Sequence, residues 1–307
     1  MEKAITLKGV TLRQNRNQEI LSKREKILQY YEKAGPDYEA WSKSFNMHFG
    51  YFTFLMNPFK REVMLNRMNK EVLTRLELGS EKHHTILDLG CGLGASSRFI
   101  AKNNPKIKIK GLTIVPWQLE QANILAKKEG VSEQVEFIEA DYTHTPFSKE
   151  FADGAYAIES SCYANGSSKG DFIKEAYRIL KPGKKLVVAD GFIKSEPDNF
   201  ISKFIYKKLC TSWALKELGN INLFKETLKA EGFTEIKVED ISWKVAVSVA
   251  HVPFVVIGFL LKNLIAGKLE MSKEQWDNLT GPILTMFLGM HRNNFSYYLI
   301  TATKGVK

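Results

Sequence analysis

The chain has 307 residues, 44% of them apolar and 25% charged, a balance that excludes an extended disordered protein and supports one large folded domain with additions at its ends. Its formal charge is +10, yet the lysines fall in short groups such as Lys106, Lys108 and Lys110, which suits solvated faces better than one polyanion-binding patch, so no nucleic-acid partner is expected. Cys91, Cys162 and Cys210 lack metal-ligand spacing; no metal is expected, and a reducing cytoplasmic setting is.

Residues 1–18 are polar and aperiodic and read as a leader without the apolar core of a secretion signal. From Glu19 onward Ile20, Ile27, Leu28 and Tyr31 recur at helical spacing until Gly35-Pro36. Tyr38, Trp41, Phe45, Phe49, Tyr51, Phe52 and Phe54 then crowd around His48, as a lid over a lipophilic pocket or as a satellite core. After Pro58, Met64, Met68, Val72 and Leu76 fall four apart and predict a helix. Strands are expected over 85–89, 106–112, 135–139, 154–158, 185–190, 235–241 and 295–303, alternating with helices over 96–102, 117–128, 171–180 and 222–230. This order predicts an α/β fold: a doubly wound, seven-stranded, mostly parallel sheet with helices on both faces and a helical run over 245–290 before the last strand. The domain organisation expected is an N-terminal leader and lid over 1–57, a cofactor-binding core over 58–244, and a helical substrate cap with the last strand over 245–307.

The stretch Ile86-Leu87-Asp88-Leu89-Gly90-Cys91-Gly92-Leu93-Gly94 leaves a strand and opens a helix, so its glycines let a ligand approach backbone N–H groups at a helix N-terminus. With Ala95 standing for the last glycine it also satisfies the loose dinucleotide pattern. Three features favour S-adenosylmethionine instead. Asp88 sits at the strand tip, where it can order the turn or reach the ligand's amino group through water. The second strand ends Gly111-Leu112-Thr113, without the acid that grips a dinucleotide ribose. Asp141 and Tyr142 follow the third strand, where an acid can accept from the adenine amino group and a ring can stack on the base. In this reading Gly90, Cys91 and Gly92 line the turn, and Cys91 lends its backbone N–H to the donor's carboxylate end.

Four stretches resemble the sterol and tocopherol C-methyltransferase group of the class I enzymes: Tyr38-Glu39-Ala40-Trp41-Ser42 with His48-Phe49-Gly50-Tyr51; the glycine turn; Gly111-Leu112-Thr113-Ile114-Val115-Pro116-Trp117-Gln118; and Tyr156-Ala157-Ile158-Glu159-Ser160-Ser161-Cys162-Tyr163-Ala164. They span about residues 30–190. The resemblance implies the class I methyltransferase fold and places Thr113 and Gln118 in the cofactor site. Tyr163 and Ala164-Asn165-Gly166 depart from the sterol pattern, which has a histidine and a proline turn there.

Three residues are candidates for the chemistry. Glu159, at the carboxyl end of the fourth strand, can stabilise a carbocation, orient a hydroxyl, or only fix its loop. Tyr163 can donate to the substrate, face a cation, or pack. His48 can be a base or a structural group. Residues 245–261 contain no Lys, Arg, Asp or Glu, so they suit the wall of a lipophilic tunnel, contact with a membrane surface, or an ordinary core; Met286, Phe287 and Met290 can extend that wall. The function expected is methyl transfer to a lipophilic small molecule, with carbon favoured. Small-molecule N- or O-methylation, non-catalytic donor binding, and nucleic-acid methylation stand as alternatives, the last without a base-engaging motif after the fourth strand.

Overall fold

The computed structural model describes residues 24–79, 82–267 and 270–306. The expected leader over 1–18 lies outside them, as does Ile20. Residues 24–34 form α1. That helix ends at Ala34, directly before Gly35-Pro36 as expected; a 3-10 turn over Gly35–Asp37 then leads into the short α2 (Tyr38–Trp41), because proline's fixed φ is compatible with the first turn of a helix.

The helix α3 (Arg61–Arg75) buries Met64, Met68 and Val72 on one stripe. The sheet is then built from β1 (His84–Leu89), β2 (Ile107–Thr113), β3 (Val135–Glu139), β4 (Gly154–Ile158), β5 (Lys185–Ile193), β6 (Gly219–Asn220), β7 (Phe233–Asp240) and β8 (Phe295–Lys304). Its order is β3-β2-β1-β4-β5-β8-β7, with β6 paired to β5 beside this path. Strands β1 to β6 pair in parallel, whereas β8 runs antiparallel to both β5 and β7. Between the strands lie α4 (Ala95–Asn103), α5 (Pro116–Lys128), α6 (Gly170–Ile179), α7 (Phe200–Ser212) and α8 (Ile221–Glu231); α9 (Ser242–Val249), α10 (Val252–Ile265) and α11 (Lys273–Met290) precede β8.

Period-two alternation divides the core into two layers. Ile86, Tyr156 and Val187 point to the layer that holds Met68 and Val72 of α3 and Ile100 of α4. Their chain neighbours Leu87, Ala155 and Leu186 point to the layer that holds Phe172, Ile173 and Ala176 of α6 and Phe224 of α8. Because strand order reverses between β1 and β4, the crossover helices diverge there and leave a crevice beyond the strand carboxyl ends. Asp88 and Glu159 stand at that crevice.

Candidate active site

Two cavities occupy the crevice. The smaller, about 260 Å³, is lined by Asp88, Gly90, Cys91, Gly92, Thr113, Gln118, Asp141, Tyr142, His48, Glu159 and Tyr163, so it brings together all of the residues expected from sequence to bind cofactor or act in catalysis. Arg24, Ile27 and Tyr31 of α1 also line it. The larger, about 730 Å³, is walled by α9, α10 and α11, by Tyr38, Trp41 and Phe49 of the N-terminal segment, and by Leu209 and Trp213. Tyr31, Met47, His48, Glu159 and Tyr163 line both, and so form the wall at which the cavities meet.

Backbone geometry shapes the smaller cavity. Gly90 has φ +96°, and a Cβ there would sit 2.4 Å from Ser160 Cβ; Gly94 has φ +72°, and a Cβ would sit 2.2 Å from Phe137 Cζ. Only glycine meets both demands. One sequence assignment is corrected here: Cys91 N–H donates to Leu112 O at 2.8 Å, as Gly90 N–H does at 3.0 Å, because the turn needs those amides to close on β2. Cys91 N–H therefore does not face a ligand. Gly94 N–H is likewise taken, donating to Cys91 O at 2.8 Å, so the amides available to an anionic group are those of Gly92 and of the first turn of α4, where N–H groups lack intrahelical partners. Buried Arg98 braces the loop by donating to Leu93 O and, at 2.6 Å, to Ser44 O.

Asp88 is buried, and Oδ2 accepts from Ser97 Oγ at 2.7 Å and Tyr156 OH at 3.0 Å. Burial pushes its carboxyl up to about 6 against those bonds. Thr113 Oγ1 donates to Gln118 Oε1 at 2.7 Å, which fixes the lip of β2. Asp141 Oδ1 accepts from Thr143 N and Oγ1, an Asx-type turn, leaving Oδ2 to the cavity it lines. Tyr142 OH donates to Ser160 O at 2.7 Å and packs edge-on against Phe172. A strand-tip acid, a helix N-terminus, an aromatic wall and an exposed carboxylate form a set that fits a ligand with an amino-acid end and an adenine end.

At the shared wall Glu159 adopts φ +49°, unusual for a residue with a Cβ, and lies just past β4. Its Oε1 accepts from Phe49 N at 2.7 Å and from Tyr297 OH at 2.8 Å. Burial, with a smaller push from the nearby Asp190, raises its carboxyl to about 8 against the lowering effect of those two bonds. His48 is buried, with Nδ1 2.9 Å from Phe49 O and Nε2 3.0 Å from Asn69 Oδ1. Desolvation lowers it to about 4, so the ring is neutral at physiological pH and its single N–H can donate to only one of those two oxygens. Tyr163 OH donates to Trp213 O at 3.0 Å and lies 2.9 Å from Tyr31 OH.

Several residues here carry no sequence signal of their own. Tyr297 reaches Glu159 from β8, 138 residues along the chain. Asp190 holds the loop after β4 by accepting from Ser161 Oγ at 2.7 Å and Cys162 N at 2.9 Å. Lys169, buried, donates to Cys162 O, Ala164 O and Glu217 O at 2.9 to 3.0 Å and ties that loop to the chain between α7 and β6. The alternation of β8 and the pair Tyr297-Tyr298, one ring for each face, is the one trace that points to Tyr297.

A family described as "Methyltransferase domain" matches residues 86–183. The chain is 25% identical over 277 residues to methyltransferase GfsG of Streptomyces halstedii, covering 90% of this chain and 92% of that protein. It is 30% identical over 195 residues to O-methyltransferase resE of Aspergillus sclerotiorum, covering 64% of this chain and 71% of that one. It is 30% identical over 219 residues to cycloartenol-C-24-methyltransferase 1 of Oryza sativa subsp. japonica; the match takes in 70% of this chain but 61% of that relative. Among solved structures, the cyclopropane synthase MmaA2 of Mycobacterium tuberculosis superposes with a TM-score of 0.78 at 16% identity, covering 92% of this chain and 98% of that one, which speaks for the shared fold.

Proposed function

Because the chain belongs to the class I S-adenosylmethionine-dependent methyltransferases, we propose that it methylates carbon of a lipophilic acceptor, sterol-like, prenyl or aromatic lipid in character, in the cytoplasm and in peripheral contact with a membrane. The observation that carries this reading is the cavity of about 730 Å³, walled by Val245, Val249, Val252, Val256, Phe259 and Met286, that meets the donor pocket at Glu159. A volume of that size with few polar groups suits an apolar molecule larger than an amino acid or amine. The name of the rice relative, a cycloartenol-C-24-methyltransferase, supports the same direction.

When bound, the donor supplies a methyl group on a positively charged sulfonium, open to in-line displacement. The amides of Gly92 and the α4 N-terminus, with Asp88, Thr113, Gln118, Asp141 and Tyr142, are the groups proposed to hold it. Tyr38, Trp41 and Phe49 line the acceptor side, where ring faces stabilise positive charge. Glu159 is mostly protonated near neutral pH and ionises as positive charge comes beside it. Its carboxylate then offsets the cation that methylation of an alkene produces, and Oε2, the oxygen that Phe49 and Tyr297 leave, can take the departing proton. Tyr163, whose hydroxyl is held by Trp213 and Tyr31, contributes its ring, and His48 sits against the Phe49 carbonyl.

The test is incubation of the protein with carbon-13-methyl donor and, separately, a lipid extract and an aqueous metabolite extract. Label in the lipid fraction on a C–CH3 carbon by NMR supports the reading. Label confined to soluble amines overturns it, and label on oxygen alone replaces it with the O-methylation named in the Aspergillus relative.

A further inference from the structure

Helix α10 is apolar on two opposite sides. Val252, Val255, Val256 and Phe259 lie three and four apart and line the larger cavity. Phe254, Ile257, Leu261, Leu264 and Ile265 follow the same period on the outside and are exposed, Phe254 by 76% and Ile265 by 86%. The chain over 52–59 enlarges this outer stripe. Phe52 N–H donates to Lys244 O at 2.9 Å and His251 Nε2 to Pro58 O at 2.7 Å, so the loop is fastened beside α9 and the start of α10. At its tip Phe54 and Leu55 are exposed by 93% and 95%, with Phe59 exposed on the same loop and Trp243 on α9.

Such a run of large apolar side chains marks an interaction surface rather than ordinary solvent exposure. Its charge identifies the partner. Residues 51–60 and 241–267 carry Lys60, Lys244 and Lys262 and no Asp or Glu, in a chain of net charge +10, which complements an anionic bilayer. The 24 residues Ser242–Ile265 are long and apolar enough to cross a membrane, but the helix breaks between Val249 and Val252, and Val245, Ser248 and Val252 are buried in the protein. Ser248 Oγ also accepts from Gly50 N–H at 2.9 Å. A spanning arrangement would strip the wall from the cavity; an arrangement lying on the surface leaves it intact.

We propose that the outer stripe of α10 and the loop tip Phe54, Leu55 and Phe59 form an interfacial anchor that lies in the headgroup–acyl boundary of an anionic bilayer, with α10 as a wall one helix thick between lipid and the acceptor cavity. The purpose of this surface rests on the lipophilic-acceptor reading; its binding does not.

Co-sedimentation of the full chain with vesicles of phosphatidylcholine, alone or mixed with phosphatidylglycerol, tests it. The wild type partitions onto the mixed vesicles, less so at high salt, and F54S/L55S/F59S and F254S/I257S each lower that partition by about tenfold or more while calorimetric donor affinity is unchanged. Failure of the wild type to bind, or unchanged partition of both variants, overturns the anchor. So does a dimer in light scattering that these substitutions dissolve, which makes the stripe an interface between copies. Vesicle binding without methylation of any lipid leaves the anchor standing and removes only the acceptor reading.

Discussion

The donor pocket and the acceptor cavity share five wall residues but are built on different principles. The donor side is made of backbone: a turn whose glycines take positive φ, a helix N-terminus, and side chains at the tips of adjacent parallel strands. The acceptor side is made of side chains from distant segments, among them Trp41, Trp213, Val256, Met286 and Tyr297. A site of the first kind has little room for variation, because a Cβ is enough to close it. A site of the second kind can change size and shape by exchanging one side chain while its neighbour stays intact.

The largest effect expected is at the donor turn. Gly94→Ala forces a Cβ toward the Phe137 ring at a φ that disfavours it, and donor affinity by calorimetry falls by about a hundredfold or more. Glu159→Gln keeps the shape of the wall and removes its charge; turnover falls by roughly 10² to 10³ while donor affinity stays within about threefold. Equal losses in both would mean that Glu159 belongs to the donor pocket alone. Phe259→Trp fills the acceptor cavity from α10 and raises the acceptor KM by about tenfold with no change on the donor side.

The smallest effects are in pH. A carboxyl held at about 8 in the folded protein is neutral where the unfolded chain, near 4.3, is already charged, so its contribution to stability declines as pH rises from about 4.3 to about 8. Glu159→Gln therefore melts above the wild type at pH 9 and level with it at pH 4. If ionised Glu159 is the active form, kcat/KM rises toward alkaline pH; in Tyr297→Phe the carboxylate loses a donor, its pKa moves higher, and that rise shifts to higher pH. A shift to lower pH would show that Tyr297 does not stabilise the charged form.

The same contrast explains what is legible in the sequence. Asp88 to Gly94 is contiguous, and Thr113, Asp141 and Glu159 each follow a strand identifiable from alternating or continuous apolar runs, so the pocket they line follows from local pattern and strand order. The hydrogen bond that takes up Cys91 N–H depends on the register of β1 with β2 and is not local. Sequence assigns no element to 200–212, yet α7 forms there and packs on α11; Phe200, Ile201 and Phe204 are exposed, so its apolar residues do not trace a single buried stripe. Tyr297 becomes a site residue only when β5 and β8 pair antiparallel, and Asp190 only when β5 pairs in parallel with β4, neither of which periodicity encodes. The aromatic segment around His48 divides between both of its expected roles: Phe49 and Tyr51 join the core, and Tyr38, Trp41 and Phe49 line the cavity.

The central claim, that donor and acceptor meet at Glu159, is tested most directly by proton release measured calorimetrically at pH 7 in buffers of different ionisation enthalpy. Binding of S-adenosylmethionine, whose sulfonium is charged, should release a large fraction of one proton, binding of S-adenosylhomocysteine, whose thioether sulfur is neutral, should release far less, and Glu159→Gln should erase the difference. Identical proton release for the two ligands in the wild type would contradict the account.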